Sequence, residues 1–228
     1  MAVVTYAGAD VLHGEVHIPI RGAWWANLKL DQATAPSVGS SGALAGDGGL
    51  SLSGTVVKSG AFLDASFVRV AGGAGGMGVS VPPKAFQTAL VRDVLSAILN
   101  AAGENASSTI SPSLTNLSLQ TWTLTSKHAA RLLDELCWAV GQATGQQPIN
   151  WRPLGDGTIW IGAESWPSQS LPAGADVLWQ HPVGPWFEIG CETPALLPGV
   201  NLSDIGGLNV VGVDHWIEPH SIRTWAWT

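Results

Sequence analysis

The run HGEVH places His13, Glu15 and His17 at alternate positions, and alternate positions of a β-strand share one face. Two imidazoles and a carboxylate on one face are zinc-type ligands. The H-x-E order is also that of zinc deaminases, whose chemistry needs a P-C-x-x-C partner, and this sequence has none. Three polar residues at this spacing therefore read as the solvated face of a strand. The run DHWIEPH offers Asp214, His215, Glu218 and His220. Pro219 stands between the last two and their strand parity is mixed, so no preformed metal site is expected. The glycines of GGAGGMG, from Gly72 to Gly78, could cradle a phosphate. They lack the G-K-[ST] ending, and a short strand and two prolines follow where a helix should open, so they read as a wide turn. GSSG, at Gly39 to Gly42, is one residue short of a G-x-S-x-G nucleophile elbow. No catalytic, cofactor or metal residue is assigned. The rival from the enzyme class is a small metal-dependent hydrolase built on His13, Glu15 and His17.

The tryptophans carry more information, and there are 12 of them. The ring buries a large apolar area while its N–H can still find a partner, which suits both cores and interfaces. Trp138, Trp151 and Trp160 are expected in a core. Trp24 and Trp25 are adjacent, so on a strand they point to opposite faces, and one barrel interior cannot hold both. The closing run SIRTWAWT puts Arg223, Trp225 and Trp227 on one face and Ile222, Thr224, Ala226 and Thr228 on the other. Chain ends fray unless something holds them, so this strand is expected to be docked. Its parity does not decide whether the indoles fill a core or meet a neighbour. Arg21, Trp24, Trp25, Arg223, Trp225 and Trp227 are the interface candidates.

Short β-type runs separated by turn residues must position these side chains. Residues 1–82 have the spacing of a small barrel or sandwich, in AVVTYAG, VLHGEVHIPI, AWWANLKLD, LSLSGTVV, FLDASFVRV and MGVSV. Within them Gln32 to Gly49, nearly all Gly, Ser and Ala, reads as a long flexible hairpin tip or loop. Helical spacing then begins: Phe86, Leu90, Val94, Leu95, Ile98, Leu99 and Ala102 recur on one face, and Gly103 stops the helix. In a second helix Ala129, Leu132, Leu133, Leu136, Cys137 and Val140 share a face, with Thr125 or Ser126 as cap and Gly141 as end. A Ser- and Thr-rich connector joins the two. INWRPLGDGTIWIG is a hairpin about Asp156-Gly157. Beyond residue 163 β-type runs return in DVLWQH, PWFEIGC, LNVVGVDHWI and the terminal strand. The fold class is thus α+β: two small β-barrel-like domains, residues 1–82 and 164–228, with a helical and hairpin unit, residues 83–163, between them. HIPIRGAWWA and EPHSIRTWAW echo each other in running Pro, Ile-Arg, then a Trp pair, as two β domains of common design would.

Charged residues are 12% of the chain and the net charge is −7. That share is about half the usual one, so much surface is expected to be covered by partners. Electrostatic capture of nucleic acid is not expected, because phosphate binding needs clustered Lys and Arg and only 10 are present. The two cysteines, Cys137 and Cys191, form no C-x-x-C, the first residues lack a signal-peptide pattern, and no apolar run is long enough to span a bilayer. A chain made in a reducing cytosol and not embedded in a membrane is expected.

Several segments taken together resemble one family. They are FVRVAGGAGGMGVSVPPKAFQTALVRDVLSAILNAAGE, WTLTSKHAARLLDELCWAVG, NWRPLGDGTIWIG, LLPGVNL and VVGVDHWIEPHSIRTWAW. Their content and order are similar to the baseplate hub of bacteriophage tails, related to late-control tail proteins and to type VI secretion spike hubs. The resemblance implies a homotrimer whose paired β domains form a ring of six, joining the six-fold tail tube to the three-fold central spike. It implies the tail tube protein, the central spike protein and other baseplate proteins as partners, and DNA that passes through the lumen without being held. It also implies a place at the distal end of the tail, after assembly in the bacterial host cytoplasm. The chain is shorter than hubs that carry an extra terminal domain, and no lysozyme domain is visible. A distal tail or tube-like ring protein is the runner-up.

Overall fold

Apolar residues at alternate positions build the barrel that comes first in the chain. The computed structural model describes residues 4–146, 148–172, 174–182, 184–191, 194–219 and 221–228. The protein is mostly β, with three α-helices among the described residues. Its first strands are β1 (Val4–Tyr6), β2 (Ala9–Pro19), β3 (Trp25–Leu30), β4 (Ser41–Gly46), β5 (Ser51–Phe62) and β6 (Ala65–Gly72). They run antiparallel in the order β1-β4-β5-β6-β3-β2, and β1 also pairs with β2, which closes a six-stranded barrel. Tyr6, Val16, Leu28, Leu30, Leu44, Val56 and Val70 fill the interior.

β4 lies inside the stretch expected to be a flexible loop. Small residues are what let it pack: a Cβ on Gly42 would come within 2.9 Å of the Ala7 methyl and 3.0 Å of the Tyr6 ring. A strand without bulk can lie there, and its backbone pairs with β1 and β5 on either side.

A second body follows, with strands β7 (Ser80–Val81), β8 (Lys84–Leu90), β9 (Ser118–Leu124), β10 (Lys127–His128), β11 (Ile149–Pro153) and β12 (Ile159–Ala163) and helices α1 (Val91–Ala102), α2 (Pro112–Thr115) and α3 (Ala129–Thr144). Three expected boundaries move. Phe86 belongs to a strand, opposite Trp122 of β9 in the connector, because the Leu90 N–H donates to the Asp93 carboxylate and fixes the helix start one turn later. Lys127 and His128 pair with β7 and hold Thr125 and Ser126 out of α3. The same helix runs through Gly141 to Gly145, whose φ of 69° ends it.

Leu95, Ile98 and Leu99 of α1 pack with Leu132, Leu136 and Val140 of α3 and with Trp151 and Ile161 of the β11–β12 hairpin. The hairpin closes about Asp156-Gly157, with Pro153 opposite Ile159. Trp138 was expected in this core but is 65% exposed. It follows the buried Cys137, and one residue along a helix is a turn of about 100°, which carries it off the apolar face. Burial pushes the Cys137 thiol up to about 12. The glycine turn after β6 is filled by the chain itself: Ala74 and Gly76 N–H groups donate to the Glu104 carboxylate at 2.8 and 2.9 Å. Gly76 must be glycine there, since a Cβ would lie 1.7 Å from the Ala102 carbonyl oxygen.

The closing strands are β13 (Ser168–Gln169), β14 (Asp176–Gln180), β15 (Trp186–Cys191), β16 (Asn201–Leu202), β17 (Leu208–Asn209), β18 (Gly212–Glu218) and β19 (Ser221–Trp227). Four of them extend the barrel sheet. β18 pairs with β2 from Gly212 opposite Pro19 to Ile217 opposite Gly14, and the order continues β2-β18-β19-β15-β14 to ten strands. β2 can serve both because its 11 residues reach past the end of β1. Packing accordingly divides the chain into Met1–Ile20, Trp24–Gly72 and Ser165–Thr228 as one unit, and Arg21–Ala23 with Gly73–Glu164 as the other. The strands beyond residue 164 thus extend the first sheet instead of closing a barrel of their own.

Candidate interface on the outer sheet face

Strand parity sorts every side chain on the extended sheet. Ile222, Thr224 and Ala226 of β19 point inward and are buried, as are Val213, His215 and Ile217 of β18 and Phe187 and Ile189 of β15. The alternate residues, Arg223, Trp225 and Trp227 with Asp214, Trp216, Trp186 and Glu188, face outward. The register sets them side by side: Trp227 is opposite both Trp186 and Gly212, and Trp225 is opposite both Glu188 and Asp214.

The result is a row of indoles. Trp186 stacks on Trp225 with ring centroids 5.3 Å apart, meets Trp227 at 5.8 Å, and meets Trp179 of β14 at 4.6 Å. Trp216 lies 6.4 Å from Trp225. Pairs at these separations attract by about 0.5–1.5 kcal/mol each beyond their burial. Trp179 and Trp216 remain 43% and 45% exposed.

Asp214 joins this row to the barrel. Its carboxylate accepts from Trp227 Nε1 at 3.1 Å and from His17 Nδ1 at 2.5 Å. Burial acts to raise the Asp214 carboxyl, but the hydrogen bonds from His17 and Trp227 outweigh it and hold the group below the usual carboxylate range. The same bond to Asp214 raises His17 above the ordinary imidazole value. His17 stacks on Trp25 at 5.5 Å, and the Arg69 guanidinium lies over the same indole at 5.0 Å.

The structure therefore brings Trp25, Arg223, Trp225 and Trp227 onto one face of one sheet. Arg223 Nη1 donates to Glu188 at 3.0 Å. Two of the six sequence candidates do not join them. Trp24 is 1% exposed and sits in the barrel interior, its ring so close that a Cβ on Gly54 would lie 2.7 Å from it. An indole enclosed by its own chain cannot meet a neighbour, which corrects that expectation. Arg21 belongs to the other unit, where its Nε donates to Asp134 at 2.8 Å and Trp151 Nε1 donates to the same oxygen at 3.0 Å. The Pro, Ile-Arg, Trp echo accordingly puts Arg21 and Arg223 in different settings. Sequence reasoning missed Trp179, Trp186, Trp216 and Asp214 as parts of the face. The signal was available in PWFEIGC, where Trp186 and Glu188 share a parity opposite to the apolar Phe187 and Ile189.

The residues first considered for chemistry form no metal-holding group among the described residues. His13 is exposed, His17 is held by Asp214, and His215 is fully buried between Thr224 and Leu196. His220 lies outside the described residues. Among the described residues no three His, Cys, Asp or Glu side chains are grouped to hold a metal, and no helix is long and apolar enough to cross a membrane.

No protein-family model matches this chain, and no curated protein sequence does. Solved structures do match over nearly all of it. The tail protein from Neisseria meningitidis MC58 aligns at a TM-score of 0.64 and 11% identity over 99% of this chain and 95% of that one. The E. coli c3393 protein, a component of the type VI secretion system with structural similarity to the T4 bacteriophage tail proteins gp27 and gp5, aligns at 0.65 and 14% over 98% and 75%. The 43 kDa tail protein of prophage MuSo2 from Shewanella oneidensis aligns at 0.64 and 10% over 99% and 96%. At these identities the likeness is one of fold, shared with phage tail proteins and a type VI secretion component.

Proposed function

We propose that this chain is a structural protein of a phage tail, the baseplate hub, which forms a trimeric ring between the six-fold tail tube and the three-fold central spike. The observation that carries the reading is the extent of the likeness: one fold spans 98% or more of this chain in two tail proteins and a type VI secretion component. The outer aromatic face supports it, because a contiguous, half-exposed row of indoles rimmed by Arg223, Glu188 and Asp214 has the composition of an interface. Trp25, Arg223, Trp225 and Trp227 on this face, and Arg21 on the other unit, are the proposed contact residues.

In this reading each copy takes two of the six positions of the ring, and three copies close it. The tail tube protein, the central spike protein and other baseplate proteins are the partners, at the distal end of a virion tail assembled in the host cytoplasm. DNA passes through the lumen without being gripped, since a chain of net charge −7 offers phosphate little attraction. No residue is assigned to catalysis.

A reconstruction of the assembled tail tip tests the reading. Three copies about the tail axis are expected. Six copies in a six-fold ring would refute the hub and favour a distal tail or tube-like ring protein.

A further inference from the structure

Cations are scarce in this protein, and most are used up. Among the described residues Arg21, Arg92, Lys127, Arg131, Arg152 and Arg223 each have a carboxylate within ion-pair distance. Lys29, Lys58, Arg69 and Lys84 have none among the described residues, and the first three converge on one groove of about 710 Å³ on the outside of the barrel. Phe67 and Trp216, 47% and 45% exposed, are its accessible apolar side chains, while Leu28, Val68 and Ile217 beside them belong to the core. Two carboxylates, Glu15 and Glu218, also line it. They would repel a polyanion such as nucleic acid, so the groove fits a single acidic group carried on an apolar segment.

This chain carries such a segment. β14 is the last strand of the sheet and pairs only with β15 among the described residues, which leaves its outer backbone groups unmatched. It reads Asp176, then Val177, Leu178 and Trp179, which are 40%, 55% and 43% exposed, then Gln180. Exposed apolar edge strands invite pairing with another chain. A register shift between Val177 and Trp179 twists this edge, but Lys and Pro, the usual protections, are absent from it.

We propose that β14 of one copy docks in the Lys29, Lys58 and Arg69 groove of the next, with Asp176 meeting these cations, which have no carboxylate within ion-pair distance among the described residues, and the Val177 to Trp179 segment covering Phe67 and Trp216. Groove and strand lie at different places along one sheet, so the contact is head-to-tail and repeats around a closed ring. It rests on the assembly reading for that ring and adds the residues that close it.

The test uses two full-length preparations, one carrying Gly60→Cys and the other Gln180→Cys. A Cβ at residue 60 meets nothing within 4 Å, and both positions are exposed, so each variant should keep the wild-type melting curve. Mixed and oxidised, and again in assembled tails, they should form a disulfide joining residues 60 and 180 of different copies. Lys58→Asp or Asp176→Lys alone should cut the yield at least tenfold, and the two together should restore it. The contact is overturned if no mixed disulfide forms, if the charge exchange fails to rescue, or if the groove cations instead bind duplex DNA at physiological salt. Three copies per tail without the disulfide would refute this contact and leave the hub standing. Six copies would refute the hub, while the disulfide still decides the contact.

Discussion

Acidification should unfold this protein through His215. The ring is 0% exposed in β18. Its Nε2 lies 3.1 Å from the Leu196 carbonyl oxygen, which can only accept, so the proton sits on Nε2 and Nδ1 accepts from the Thr224 hydroxyl at 2.8 Å. A second proton would have to displace that hydroxyl's hydrogen and place a charge in the apolar interior. Burial accordingly lowers the group from 6.5 to about 4. The unfolded chain then takes up the proton first as the pH falls. The stabilisation is complete above pH ~6.5, is lost between ~6.5 and ~4, and does not fall further below that window; in full it is worth about 3 kcal/mol. Asp214, whose folded value is depressed, loses its contribution at still lower pH. His17 works the other way, because its raised value contributes below ~6.5 and is lost as the pH rises through the folded value. A difference measurement removes both. His215→Gln can still donate to Leu196 and accept from Thr224 but does not titrate. In urea unfolding, wild type should lose about 2.5 kcal/mol more than this variant between pH 7 and pH 4.5. Equal losses, or a His215 resonance titrating near 6.5 in the folded protein, would refute the reasoning.

The tryptophans separate into two predictions. Trp24→Ala should cost about 3–5 kcal/mol in denaturant unfolding, because it empties a barrel interior that no neighbouring side chain can refill; a loss below about 1 kcal/mol would contradict the packing described. Trp225→Ala with Trp227→Ala removes only outer-face stacking and the bond to Asp214, so the chain should stay folded, less stable by about 1–2 kcal/mol, yet be missing from assembled tails. Normal incorporation of that double variant would exclude the aromatic face as a contact surface.

Where local chemistry decides structure, the sequence was legible. The Asp156-Gly157 hairpin, the two helix faces and the glycine stop at 103 depend on φ preferences and periodicity within a few residues. β4 was not legible, because Ser, Gly and Ala carry no period of their own and become a strand only when β1 and β5 offer their edges. The same holds for the merging of the closing strands into the first sheet. β18 joins β2 across almost two hundred residues of chain, and β grammar states that strands exist without naming their partners.

The terminal strand shows why the outer aromatic face was only half legible. Parity grouped Trp225 with Trp227 but left open whether that face turns inward. It turns outward. Val213, His215 and Ile217 from β18 and Phe187 and Ile189 from β15 already crowd the inner side, and only Thr224 and Ala226 are small enough to lie among them. Thr224 also supplies the hydroxyl that His215 needs. The indoles are therefore turned outward by their neighbours' bulk. There the cross-strand register, not the terminal sequence, delivers Trp186 and Asp214 to them and makes one surface out of rings from separate strands.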